Sequence, residues 1–381
     1  MDQETANVLF DKGAILLFLD PPENLEFGID YNAWSTGPLF KGVKLIPPGL
    51  HFVFYSSTSK EGIPGMRTGF FRFFEAGEVL VRKWSNETED LLDESEMDTE
   101  QAERYKGDIK SFDNNLGPYP LAPPTNWQRW MALTNYITKS LLHRIFPNNG
   151  IISHLPSRNN DSLPSLLEEM DRRMGREVVE KEEGVEFTAF DPRQSFPPGA
   201  SGSEITKWSM DKTWLTKELL REVYNSDYHN LLGELQLAFV ATLLGQNFTS
   251  FNQWKKIVQL LCSCQELVDE SPQLFSDFLD VLTKQMNECP QDFFYDILSE
   301  NHFLSQQLKT FSRNIPGSNE KLRQKFVAFH QKLQEKFHWE IPGLPASLKD
   351  HRRRSSDREI HDDSEDDEDE EGEFAPTIVE L

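Results

Sequence analysis

The chain has 381 residues, a formal net charge of −24 and a 38% share of hydrophobic residues, a length and composition that predict two domains, each able to bury a core. The acidic balance argues against direct, sequence-independent attraction to RNA phosphates. With no apolar run long enough to span a bilayer, no signal-peptide pattern and only Cys262, Cys264 and Cys289 as thiols, a soluble protein of a reducing compartment is expected, so the glycosylation patterns at Asn86 and Asn247 have no use.

In chain order, residues 14–19 (AILLFL), between Gly13 and Pro21-Pro22, predict a buried strand. Residues 24–56 form the stretch around which the rest is arranged. Gly28, Gly37-Pro38, Gly42 and Pro47-Pro48-Gly49 interrupt it, and short strands at 25–29, 43–46 and 50–55 lie between the interruptions. In the last of these, alternation sets His51, Val53 and Tyr55 opposite Phe52 and Phe54. Ala76-Gly77, between two aromatic and β-branched arms, predicts a hairpin. Residues 87–111 turn acidic and predict a surface loop with one short helix. Residues 116–124 are too rich in proline for a helix. Thr125 then caps a helix that carries Trp127, Trp130, Met131, Ile137, Leu141 and Ile145 on one stripe and covers a sheet face.

Residues 147–185 predict a linker, with a marginal helix at 163–174. From residue 186 the periodicity is helical. Segments at 208–223, 231–244 and 252–261 are followed by one capped by Ser271 with Pro272 at its first position, one at 293–298 and one at 322–337. Short joints suggest an antiparallel bundle or a helical stack, and no exact internal repeat is visible. The expectation is therefore α+β. An N-terminal β-sandwich or barrel-like domain with a covering helix (1–146) precedes an all-α domain (186–340) and a disordered acidic tail (341–381). The tail holds ten acidic residues between Asp362 and Glu373, then ends in the apolar FAPTIVEL.

Chemistry is sparse. The nine histidines are scattered, no second Cys/His cluster answers Cys262-Ser263-Cys264, and no phosphate loop, nucleophile elbow or RNA-stacking aromatic signature occurs. The expectation is a non-enzyme with no cofactor, metal or catalytic residue. Basophilic Arg352–Arg354 before Ser355 and Ser356, the acid-flanked Ser364, and Ser263 at a helix end are candidate phosphorylation sites. Such short matches are frequent by chance.

Three runs carry a resemblance: EFGIDYNAW, FKGVKLIPPGLHFVFYSS and GELQLAFVATLLGQNFTSFNQWKKIVQLLC. In order and together they resemble the AAR-two splicing-factor family, assembly chaperones of the U5 snRNP. The resemblance implies a binding protein, monomeric by itself, in cytoplasm and nucleus. It would hold the large U5 scaffold protein through that partner's RNase H-like and MPN domains, alongside other U5 proteins of a precursor particle. RNA and helicase would be kept off, with no nucleic acid or membrane bound directly. It further implies that the tail adds a strand to the RNase H-like domain through Pro376, Thr377, Ile378 and Val379. Gly28, Tyr31, Trp34 and Glu234 are expected at a partner-facing interdomain surface. An unrelated cytosolic peptide adaptor and a hydrolase with an unrecognised site are the alternatives.

Overall fold

The computed structural model describes residues 12–56, 67–92, 96–121, 125–147, 150–153, 185–290, 303–316 and 319–338. The strands are β1 (Ala14–Leu19), β2 (Glu26–Ile29), β3 (Asn32–Ser35), β4 (Gly42–Ile46), β5 (Gly49–Ser56), β6 (Thr68–Phe74), β7 (Val79–Ser85), β8 (Asp90–Leu91), β9 (Leu116–Pro118) and β10 (Ile151–Ser153). They make two five-stranded sheets, ordered β8-β7-β1-β4-β9 and β10-β6-β5-β2-β3.

Side-chain alternation turns this pair of sheets into a four-layer stack. Leu16 and Phe18 of β1 meet Val53 and Tyr55 of β5 in the sandwich interior. Leu17 and Leu19 point the other way, under α1 (Thr99–Gly107) and the 3₁₀ turn Ile109–Asn115. Leu50, Phe52 and Phe54 leave the second sheet on its far face and enter the helical core. Both faces of the central strands are therefore covered, which is why β1 and β5 are nearly continuous in apolar residues.

Two sequence expectations change here. The turn after Phe74 is not a hairpin: β6 belongs to the second sheet, while β7 pairs parallel with β1 in the first. The turn carries the chain across the sandwich, with Gly77 at φ 70° and Arg72 Nη2 donating to Glu78 at 2.6 Å. Pro47-Pro48-Gly49 makes the same crossing between β4 and β5. In addition, the helix expected from Thr125 is two, α2 (Thr125–Thr134) and α3 (Lys139–Ile145). Thr138 caps the second by accepting from Leu141 N, and Met131 is 43% exposed, off the buried stripe. The strand β3 was not expected, and β10, inside the stretch read as linker, pairs antiparallel with β6.

The helical half comprises α4 (Gly202–Met210), α5 (Thr213–Glu222), α6 (Tyr228–Leu243), α7 (Phe248–Cys262), α8 (Gln265–Glu270), α9 (Pro272–Glu288), α10 (Phe303–Asn314) and α11 (Glu320–Phe337). Asp211 and Lys212 separate α4 from α5 where one helix was expected. Ser271 stands at the start of α9 with Pro272 at its first position, though its side chain makes no capping bond. Everything is arranged about α6, which packs against α2, α3, α7 and α9. Its residues 231–241 are buried on every side, each full-sized apolar side chain contributing roughly 2 kcal/mol of burial. The segments at 163–174 and 293–298 and the tail lie outside the described residues.

Candidate functional site

The two halves meet along a seam that is apolar at its centre and polar at three points. Phe52, Phe54 and Phe71 of the second sheet share one core with Leu141, Leu231, Phe239 and Trp254. Trp130 of α2 buries its ring there and donates from Nε1 to Leu50 O at 2.7 Å. Gly233 brings α6 against the α2–α3 joint so closely that a Cβ would lie 2.3 Å from Tyr136 O. Gln236, fully buried, accepts from Tyr136 N and donates to Asn135, both at 2.9 Å.

Around this centre stand three arginines. Arg129 makes a two-pronged pair with Glu288 of α9 while lying over the Tyr31 ring at 5.2 Å. Arg67 pairs with Glu26 at 2.8 Å and covers Phe54 at 4.6 Å. Arg144 donates to Glu234 at 2.6 Å and to Thr188 Oγ1 at 2.8 Å. Glu234 also accepts from Thr188 N and Oγ1, from Tyr224 OH and from Gln253 Nε2, at 2.7 to 3.0 Å. Burial, then the Glu234 charge, holds the Tyr224 hydroxyl well above its ordinary range. A carboxylate with 0% exposure is tolerable only with such a set of donors.

A second buried cluster sits inside the β domain. Asp30, at φ 54° in the β2–β3 turn, accepts from His51 Nδ1 (2.7 Å), Tyr119 OH (2.6 Å) and Phe52 N (2.9 Å). His51 Nε2 faces Pro47 O at 2.7 Å, so both ring nitrogens meet oxygen atoms. Trp127 stacks on the ring at 5.3 Å. Burial and the Asp30 charge raise the Tyr119 hydroxyl. The residue types suit acid–base chemistry, but Asp30 and His51 are 1% and 0% exposed and each acceptor atom is already engaged. This cluster braces the Pro47 turn against α2.

The residues expected to face a partner are only partly brought together. Gly28 is buried, and a Cβ there would lie 2.2 Å from the Phe54 ring. Trp34 is half-buried on Phe27 and Phe40, and half-buried Tyr31 lies under Arg129. Glu234 corrects the expectation for itself: its oxygens are spent inside the protein and it offers nothing to a partner. Ser263 is half-buried at the α7 C-terminus, where its carbonyl accepts from Lys212 N at 3.0 Å. The neighbouring Asp211 binds Thr213 N, Gln265 N and Glu266 N, holding the α4–α5 and α7–α8 corners together. Cys262 and Cys264 are core, the latter's thiol pushed up to about 12 by burial. Pro376 to Val379, Ser355, Ser356 and Ser364 lie outside the described residues.

Beside Arg144 a cleft of about 480 Å³ opens between residues 185–189 and the outer stripe of α7. Among the described residues no group of His, Cys, Asp and Glu is placed to hold a metal, and no helix is long and apolar enough to cross a membrane.

The two halves of this seam coincide with two family models. That of the AAR2 N-terminal domain matches residues 12–147, and that of the AAR2 C-terminal repeat region matches residues 187–342. The chain belongs to the AAR2 family. The human Protein AAR2 homolog is similar at 34% identity over 374 residues, 91% of this chain and 94% of that one. The Caenorhabditis elegans homolog is 35% identical over 357 residues, 89% of this chain and 97% of its own. A1 cistron-splicing factor AAR2 of Saccharomyces cerevisiae is 22% identical over 321 residues, covering 80% and 85%.

What reading the sequence missed in this AAR2-family chain is the set of seam partners Arg67, Arg129, Arg144, Thr188, Gln253 and Glu288. One signal was available: Glu234 interrupts an apolar run, and a charge on a helix buried all round demands a partner. Which arginine answers, 90 positions earlier, is not written locally.

Proposed function

We propose that this chain acts in pre-mRNA splicing as a non-enzymatic assembly chaperone of the U5 snRNP. The name of the yeast relative, a splicing factor, supports the broader half of that reading. For the finer half, the supporting observation is the seam. The two halves share one core, so the chain offers a partner a single body, and its buried polar clusters are spent on bracing it. The chain's net charge of −24, ten of its acids lying between Asp362 and Glu373, suits a basic, RNA-binding partner and keeps RNA from it.

The partner in this reading is the large U5 scaffold protein, held in the cytoplasm through its RNase H-like and MPN domains until nuclear maturation. RNA and the U5 helicase stay excluded meanwhile. The segment Pro376, Thr377, Ile378 and Val379 adds a strand to the RNase H-like domain, main-chain bonds giving affinity and alternate side chains selection. Co-purification with the isolated RNase H-like domain tests this. The full chain should bind best, and a chain ending at Glu373 and Ile378→Pro should each bind more weakly. Absence of binding by the full chain sinks the chaperone reading, and equal binding by all three sinks the strand.

A further inference from the structure

We propose that the cleft beside α7 is a peptide-binding site, which takes a short extended segment of a partner protein and sets a carboxylate side chain of that segment against Lys256. The cleft's volume of about 480 Å³ falls within the range of built ligand sites. On one wall, residues 185–189 belong to no helix or strand, and alternate residues are tied to the body of the protein. Glu186 N donates to Ile145 O at 2.8 Å and Thr188 N to Glu234 at 2.9 Å, while Thr188 O accepts from Gln253 Nε2 at 3.0 Å. The amides and carbonyls of Phe187 and Ala189, two residues that also line the cleft, have no hydrogen-bond partner among the described residues. Backbone groups turned to the body at every second residue leave the intervening ones on an open edge, and an extended peptide adds to such an edge.

The opposite wall is α7. The side-chain amide of half-buried Asn252 joins donors and an acceptor in one group, and it has no partner among the described residues. Lys256 follows one turn later, exposed and without an ion-pair partner among the described residues. The two stand about 6 Å apart along the helix axis, close to the spacing of alternate residues in an extended chain. The whole wall from Thr249 to Lys256 runs about 10 Å, the length of three or four extended residues. Arg144 spends two of its N–H groups on Thr188 and Glu234 and is 34% exposed, so donors remain for an acceptor in the cleft. Glu234 already answers its charge, which leaves Lys256 as the cation that selects. Glu186, the one acid on the lining, disfavours a run of negative charges, and Val185 with Phe187 gives an apolar side. Phosphate oxygens only accept, whereas the Phe187 and Ala189 carbonyls call for donors, so the edge suits a peptide main chain and not a nucleic acid. The partner is defined here by its chemistry, independently of the proposed function.

The test titrates the full chain with pools of acetylated, amidated pentapeptides that carry valine, threonine, glutamate, glutamine or lysine at each position. Saturable binding is expected, about tenfold tighter with glutamate than with glutamine at one position, a difference that Lys256→Glu abolishes because it removes the charge-assisted contact. Asn252→Ala should weaken every pool several-fold. N-methylation of one alternate set of peptide amides should weaken binding at least several-fold, and methylation of the other set should leave it unchanged. Unaltered melting temperatures confirm that both variants fold. No saturable binding by any pool, a glutamate preference that survives Lys256→Glu, or equal binding after either methylation overturns the proposal. Displacement of the bound pool by oligouridylate or by pyrophosphate at the peptide's own affinity means that the cleft is an anion site, and overturns it as well. None of these outcomes bears on whether the chain binds the RNase H-like domain.

Discussion

Replacing Arg144 by methionine removes the cation from a carboxylate that stays buried. Breaking one side of a buried ion pair costs about 3–5 kcal/mol when both groups are dry. Arg144 is 34% exposed and four neutral donor contacts would still reach Glu234, so water and hydrogen bonds moderate the loss. The expected cost is about 2–3 kcal/mol. Glu234→Leu takes away the acceptor instead and strands Thr188 N and Tyr224 OH as well as the cation, while Gln253 Nε2 keeps its bond to Thr188 O, at about 3–5 kcal/mol. In Arg144→Met with Glu234→Leu no buried charge remains, and the total should fall at least about 1.5 kcal/mol short of the sum of the singles. Urea unfolding followed by tryptophan fluorescence measures all three, since Trp84 and Trp130 report on one half and Trp254 on the other. Because the halves share a core, one coincident transition is expected at every emission wavelength. A cost below about 0.5 kcal/mol for Arg144→Met, or strict additivity in the double variant, would refute the claim that this pair holds the seam.

Three further outcomes follow from the same packing. Gly233→Ala must push the Tyr136 carbonyl away from α6; helix propensity offsets part of the strain, leaving a loss of about 1–2 kcal/mol by denaturation, and a gain in stability would show the joint to be loose. Burial raises the hydroxyls of Tyr55, Tyr119 and Tyr224, so the folded state keeps protons that the unfolded chain releases; stability is fully present below about pH 10 and falls above it by up to about 1.4 kcal/mol per pH unit for each tyrosine, a slope that Tyr119→Phe should reduce by one tyrosine's share. Ser263→Glu sets an anion at the α7 C-terminus beside the Asp211 corner and should cost about 1 kcal/mol, whereas Ser263→Lys should be nearly neutral, and equal melting temperatures for the two would remove any electrostatic role for a phosphate there.

Periodicity and composition alone determined the local elements of this protein. Strand alternation assigned Phe52 and Phe54 to one face of β5 and Val53 with Tyr55 to the other, because the pleat allows no third arrangement. The run at 231–244, apolar almost all round, marked α6 as a helix enclosed by others, since no single partner can cover such a surface. The tertiary structure decided what those signals leave degenerate. A glycine turn between two apolar arms reads alike whether the arms pair or, as with β6 and β7, part to opposite sheets, since the turn's geometry is local and the choice of neighbour is not. Asn32–Ser35 is too short and too polar to announce itself, and becomes a strand only because β2 lies beside it. The seam shows the same limit: Glu234 declares in its own sequence context that it needs a partner, but Arg144, Thr188 and Gln253 reach it from three separate segments, and only folding brings their donors within 3.0 Å of one carboxylate.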